Sequence, residues 1–186
     1  MAEKKIALVV GSLRKESWNR KIANELTLLA PDELEMEFVE IGDLPLYNED
    51  LETDNPPKAW SDFREAIKSS DGIIFFTPEY NRTIPAALKN AIDVGSRPYG
   101  SSVWHGKPGA VISVSPGAIG AFGANHVLRQ SMVFLGVPML PHEAYIGGVS
   151  KLFDENGALA ESTKGFLSQF VTEYEGWVNR FPREGK

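Results

Sequence analysis

The sequence has no cysteine among its 186 residues. That absence excludes disulfides, a thiol nucleophile, a thiolate-held cluster and a zinc ribbon. There are only three histidines, and His105, His126 and His142 lie in separate segments without metal-ligand spacing, so no metal site is expected. His126 reads as a packing or interface residue. A Gly-x-Ser-x-Gly nucleophile elbow is missing, which argues against a Ser-His-Asp hydrolase. Basic residues are outnumbered, with Lys+Arg 19 against Asp+Glu 25 and a net charge of −6, so no basic stripe for nucleic acid is expected. No apolar run approaches the length of a membrane span. The short run after Lys4 and Lys5 ends in a polar loop and is no signal peptide. The expectation is a cytoplasmic protein with neither nucleic acid nor membrane as partner. At 42% hydrophobic and 24% charged residues the chain has an ordinary globular composition, most simply one domain over 1–186.

What the sequence does have is organised around Gly11-Ser12-Leu13-Arg14-Lys15-Glu16-Ser17-Trp18-Asn19. The apolar run Ile6–Val10 precedes it, and Ile22, Ala23, Leu26 and Leu29 follow at helical spacing. A strand–loop–helix junction presents free backbone N–H groups and the positive end of a helix dipole. Ser12, Ser17, Asn19 and Arg14 add donors, and an Arg fork grips two phosphate oxygens at once. A second Gly and a Lys-Ser pair are missing, which rules out a P-loop, and so is Gly-x-Gly-x-x-Gly. The loop therefore suits a monophosphate held by side chains and helix N–H groups. The plainer alternative is a solvated loop in which Ser17 only caps the helix.

Further along, Leu34–Ile41 alternates apolar and polar residues, as an edge-side strand does. Residues 42–57 form a long acidic loop whose apolar tip Leu44-Pro45-Leu46-Tyr47 either packs on a partner subunit or a ligand, or folds back on its own domain. A helix is expected over 57–69, a doubly covered strand at Ile73–Thr77, and the break Pro78-Glu79-Tyr80-Asn81-Arg82 at its carboxyl end. Then come a helix from Pro85 to about Val94, a strand at Ala110–Val114, a glycine-rich loop 115–123 and a helix at 125–135. A short strand falls within 138–146. The last helix carries Phe166, Leu167, Phe170, Val171, Tyr174, Trp177 and Val178 at core spacing. Five strand–helix alternations predict an α/β fold: a flavodoxin-like, doubly wound, five-stranded parallel sheet with helices on both faces. Ligands of such sheets lie outside the carboxyl ends of the strands, where the loops after the first, third and fourth strands fall. Pro78, Tyr80 and the glycines of the third loop suit a planar heterocycle with polar edges. Phosphate plus ring describes a mononucleotide, and FMN suits such a sheet best.

Three motifs carry a wider resemblance. They are Gly11-Ser12-Leu13-Arg14 with Ser17 and Asn19; Pro78-Glu79-Tyr80-Asn81 followed by Ile84-Pro85 and Leu88-Lys89-Asn90-Ala91-Ile92-Asp93; and Ser115-Pro116-Gly117 with Gly120. Over nearly its whole length the chain resembles the NAD(P)H-dependent FMN reductases, and within them the bacterial class I chromate and quinone reductases. The resemblance implies FMN as cofactor, its phosphate held by Ser12, Arg14, Ser17 and Asn19, with Trp18 in the same site. It implies that Pro78, Glu79, Tyr80 and Asn81 line the flavin, Glu79 partly through its backbone, and that Ser115 and Gly117 hold the other edge. It further implies NADPH or NADH as electron donor, quinones and chromate as acceptors in a ping-pong order, and a homodimer or homotetramer with the flavin near the subunit boundary. No catalytic side chain is implied, because the flavin carries the chemistry. Arg82 and Arg97, read as lying on or near these loops, are either binders of an anionic substrate or solvated ion-pair residues. The alternatives are a flavodoxin-type electron carrier without direct NAD(P)H activity, and a regulator that binds a mononucleotide other than a flavin.

Overall fold

The computed structural model describes residues 4–181. The strands are β1 (Lys4–Val10), β2 (Leu34–Phe38), β3 (Gly72–Thr77), β4 (Gly109–Val114) and β5 (Ala144–Ile146). The helices are α1 (Trp18–Leu29), α2 (Lys58–Lys68), α3 (Ala86–Gly95), α4 (Phe122–Phe134) and α5 (Glu161–Val178). All four strand pairings are parallel, and the order is β2-β1-β3-β4-β5. The winding reverses between β1 and β3, so the expected fold class is observed.

The two-residue period of the strands divides the core. Ile6, Leu8, Ile74, Phe76 and Ile112 point to one face, where α1 and α5 bury Ile22, Leu26, Phe170 and Tyr174. Ala7, Val9, Ile73, Phe75 and Val111 point to the other, against Trp60 and Ile67 of α2, Leu88 of α3, and Leu128 and Met132 of α4. Each such side chain, taken fully from water, contributes about 1.5–3 kcal/mol. The two central strands β3 and β4 are buried along their whole length, which explains their unbroken apolar runs.

Two elements depart from their expected bounds. β2 ends at Phe38, although Val39 still donates to the Leu8 carbonyl at 2.9 Å and Ile41 is buried in the second core. α4 begins at Phe122, nearly a turn earlier than its sequence suggests. Nothing local marks that start: Ala121 is left-handed (φ 59°) and offers no side-chain cap. The cap comes from a distant loop, as the Glu79 carboxylate accepts from the Ala124 N–H at 3.1 Å.

The apolar tip of the 42–57 loop folds back on its own domain. Tyr47 stacks on Trp60 with ring centroids 5.3 Å apart. The Trp60 indole donates to the Pro45 carbonyl at 2.9 Å, and the Asn90 amide bonds to Leu44, Pro45 and Tyr47 backbone groups. The Leu46 side chain stays out, at 77% exposure, and Pro45 is exposed beside it. Among the described residues no helix is long and apolar enough to cross a membrane, and none of their His, Asp and Glu side chains gather as a metal site.

Candidate active site

Because β1, β3 and β4 are neighbours, the three loops at their carboxyl ends share one rim. The Gly11 N–H donates to the Phe76 carbonyl at 2.8 Å, tying the first loop to the end of β3. Glu79 joins the second loop to the third through Ala124. A Cβ on Gly123 would lie 2.9 Å from the Glu79 carboxylate, so close approach requires glycine there.

The first loop is a set of donors with few internal acceptors. Ser17 is buried, and its hydroxyl accepts from the Arg20 N–H at 3.3 Å, capping α1. The hydroxyl proton is left for another acceptor, so the capping role and a ligand role are compatible. Trp18 and Asn19 follow in the first turn, whose N–H groups find no acceptor within the helix. Arg14 is exposed and has no ion-pair partner among the described residues. Asn19 is 4% exposed, yet its Oδ1 has no hydrogen-bond partner. A buried amide left unsatisfied costs roughly 1–3 kcal/mol unless a ligand meets it. The open N–H groups of this helix N-terminus, the Arg14 guanidinium in the same loop and the Asn19 amide, which offers its Nδ2 as donor once turned over, fit a bound phosphate group, and so FMN. Trp18 turns its ring away, stacked on Phe153 at 5.4 Å with the Lys21 ammonium over it.

The second loop is a two-residue hairpin. Tyr80 and Thr83 exchange both backbone hydrogen bonds at 2.9 Å, and Asn81 (φ 51°) and Arg82 (φ 64°) both occupy the left-handed region. Asn tolerates that conformation, whereas Arg does so at roughly 1–2 kcal/mol. Tyr80 is half exposed at the rim. Arg82 extends into solvent and contacts the well-buried Glu79 carboxylate at 3.2 Å. In the third loop the Ser115 hydroxyl donates to the Gly117 carbonyl at 3.1 Å. Gly120 (φ 60°) passes so close to β5 that a Cβ would stand 2.9 Å from the Ile146 nitrogen.

Ser12, Arg14, Ser17, Asn19, Pro78, Glu79, Tyr80, Asn81, Ser115 and Gly117 thus all belong to the rim loops, and Arg82 joins them. Arg97 does not within its own protomer. Helix α3 starts at the carboxyl rim and runs back, so Arg97 emerges at the opposite edge of the sheet. There it lines a cavity with Ser70 and Asp71, just before β3, and Pro108, just before β4.

Beside the third loop lies a side-chain cluster that the sequence reading missed. The Tyr145 hydroxyl donates to the Glu143 carboxylate and lies 3.0 Å from His126 Nε2. Burial, followed by the Glu143 hydrogen bond, pushes the Tyr145 phenol up to about 12. Burial also holds the Arg129 guanidinium below its usual value. On α5, the hydrogen bond from His142 holds the Glu173 carboxyl below its usual value, with Gln169 adding to it.

The sequence model of a family described as NADPH-dependent FMN reductase matches residues 4–151. A quinone reductase of Pseudomonas putida is 62% identical over 174 residues, covering 93% of this chain and 94% of its own. Among solved structures, FerB of Paracoccus denitrificans, a flavoenzyme NAD(P)H:(acceptor) oxidoreductase, superposes with a TM-score of 0.89 at 42% identity over 96% of this chain and 98% of its own. A flavodoxin of Pseudomonas aeruginosa shares the fold, with a TM-score of 0.58 at 18% identity over 92% of this chain and 99% of its own. With its three loops on one rim and its family model matched over most of its length, the chain belongs to the NADPH-dependent FMN reductases, which use FMN and NAD(P)H.

Proposed function

We propose that this protein is an NAD(P)H:quinone oxidoreductase that binds FMN at the carboxyl rim of its sheet and also reduces soluble oxidants such as chromate. The observation that carries the reading is the donor set at the start of α1: open first-turn N–H groups, a buried Asn19 amide whose Oδ1 has no partner among the described residues, and an exposed Arg14 with no ion-pair partner among them. A phosphate accepts from the Arg14 guanidinium, from the first-turn N–H groups and, with the Asn19 amide turned over, from its Nδ2. In this reading Ser12, Arg14, Ser17 and Asn19, with the first-turn N–H groups of α1, hold the FMN phosphate. Trp18 contributes its backbone N–H, since its ring is committed to Phe153. Pro78, Glu79, Tyr80 and Asn81 line one side of the ring, and Ser115 and Gly117 its other edge. When bound, FMN would supply the hydride-transfer chemistry between the nicotinamide and the acceptor. The protein's part is to orient: the hairpin holds Tyr80 at the rim, and Arg82 offers an exposed positive charge to the phosphates of the donor or to chromate. Donor and acceptor then occupy the same open face in turn, which is the ping-pong order. The whole of 1–186 serves as one cytoplasmic FMN-binding domain, working as a homodimer or homotetramer. Quinone reduction is the activity of the 62%-identical relative, and it supports the choice of acceptor class.

Initial rates with NADPH and benzoquinone varied together test the order. Parallel double-reciprocal lines are expected, and intersecting lines would require both substrates to be bound at once. Replacing the quinone by chromate is expected to sustain NADPH oxidation; a rate no higher than with oxygen alone would remove chromate from the acceptors.

A further inference from the structure

Two buried hydroxyls stand side by side where the ring-side loops leave the sheet. Thr77, the last residue of β3, pairs in register with Ser113, the penultimate residue of β4, and both are 0% exposed. Each hydroxyl turns a carbonyl of its own loop inward. Thr77 Oγ1 donates to the Pro78 carbonyl at 2.8 Å, and Ser113 Oγ donates to the Gly120 carbonyl at 2.7 Å. Behind Ser113 the accounting closes. Asn125 is 0% exposed, and its Nδ2 gives one N–H to Ser113 Oγ at 3.1 Å and the other to the Ala144 carbonyl at 3.2 Å. Its Oδ1 accepts from Arg129 Nε at 3.0 Å. Arg129 also donates from Nη1 to the Leu140 carbonyl and from Nη2 to the His142 carbonyl, at 2.8 and 2.9 Å. Every polar atom of the Asn125 amide is used, and a flipped amide would set donor against donor at Arg129, so its orientation is fixed.

A network of this kind between β4, β5 and α4 is more than the core needs, since apolar residues would fill the same space without a desolvation penalty. What it achieves is directional. With the Pro78 and Gly120 carbonyls held inward, the loop backbone is turned so that carbonyl oxygens are kept from the ring site. The carbonyl edge of an isoalloxazine gains negative charge when the ring accepts hydride, and a peptide carbonyl aimed at it would oppose that. We infer that Thr77, Ser113, Asn125 and Arg129 are positioning residues, which hold the Pro78 and Gly120 carbonyls away from the bound flavin and so favour its reduction. The inference rests on the assignment of loops 78–83 and 115–121 to FMN. None of the four residues needs to touch the cofactor.

Three measurements test it: the FMN dissociation constant, the two-electron midpoint potential of the FMN-loaded protein, and hydrogen exchange of the two loops with and without FMN. In the parent protein, loop 115–121 is expected to be protected before FMN is added, because the network holds it. Ser113→Ala frees the Gly120 carbonyl, and FMN is expected to bind at least tenfold more weakly. The reduced form should lose a further factor of about ten relative to the oxidised form, which moves the potential about 30 mV more negative. Thr77→Val is expected to move the potential in the same direction. A Ser113→Ala protein that is merely less stable, with its FMN affinity within twofold and its potential unchanged, would reduce the network to core structure and overturn the inference. If that variant does not fold, the parent still decides: a loop 115–121 that exchanges freely until FMN binds has not been held by the network. Failure of the site assignment looks different, because FMN would then bind the parent without altering exchange in loop 78–83 or in the first turn of α1.

Discussion

The two sides of the rim are built on opposite plans. On the side proposed to hold the phosphate, loop 11–19 leaves polar groups unspent: among the described residues Arg14 has no ion-pair partner and the buried Asn19 Oδ1 no hydrogen-bond partner, and the first turn of α1 offers open N–H groups. On the ring side, loops 78–83 and 115–123 spend theirs internally, on Thr77, Ser113, the Glu79 cap and the close passage over β5. On the proposed function, one side is completed by its ligand and recognises charge. The other is complete without it and offers shape. Damage to the first should therefore weaken cofactor binding while sparing stability, and damage to the second should reduce both.

The largest effect is expected from Gly120→Val. The left-handed backbone and the 2.9 Å approach to Ile146 leave no room for the side chain. Left-handed strain of about 1–2 kcal/mol and overpacking of about 1–3 kcal/mol should together lower the denaturant midpoint of the FMN-free protein and abolish tight FMN binding. Arg14→Ala should do the reverse. Loss of a charge-assisted contact of about 1.5–3 kcal/mol raises the FMN dissociation constant roughly 10- to 150-fold, while the FMN-free denaturant midpoint stays put. Asn19→Leu sharpens the contrast, since it removes a buried group without a partner. Fluorescence titration should show weaker FMN binding, and urea unfolding should show the FMN-free variant as stable as the parent or up to about 1 kcal/mol more stable. Arg82→Gly relieves the strained turn by about 1 kcal/mol, and on the proposed function it raises the Michaelis constant for NADPH or chromate. An unchanged pair of constants would take Arg82 out of substrate binding. The smallest effect concerns the edge of the ring side. Tyr145 stays protonated in the folded protein up to about 12, above an unfolded value near 10. Its contribution to stability is therefore complete below pH 10 and lost as pH rises from there through about 12. Tyr145→Phe should remove a phenol titrating near 12 from the ultraviolet titration and flatten that alkaline loss.

The strand–loop–helix setting of loop 11–19, proposed to hold the phosphate, was almost wholly legible in the sequence, because it is local. A period-2 run, a polar loop and a period-3.6 run follow one another within 4–29, and the donors lie between them. The ring side was legible only in outline. Its glycines and prolines marked the loops, but what fixes those loops is long-range. Glu79 caps a helix 45 residues away, which hid the true start of α4. Ser113, Asn125 and Arg129 read separately as strand and helix residues, with nothing to show that they meet. The apolar tip at 44–47 was left with two destinations, and the Asn90 and Trp60 contacts that settle it come from other elements. Arg97 lies away from the rim for a topological reason: nearness in sequence to the second loop is undone by the return path of α3.

The most direct test of the whole account is an anaerobic titration of the FMN-loaded protein with NADPH, followed by benzoquinone, read by visible absorbance. The account predicts that the flavin band is bleached by about one equivalent of NADPH and restored by the quinone. A protein that holds FMN yet is bleached by neither NADPH nor NADH would contradict it and leave the rim as the site of an electron carrier.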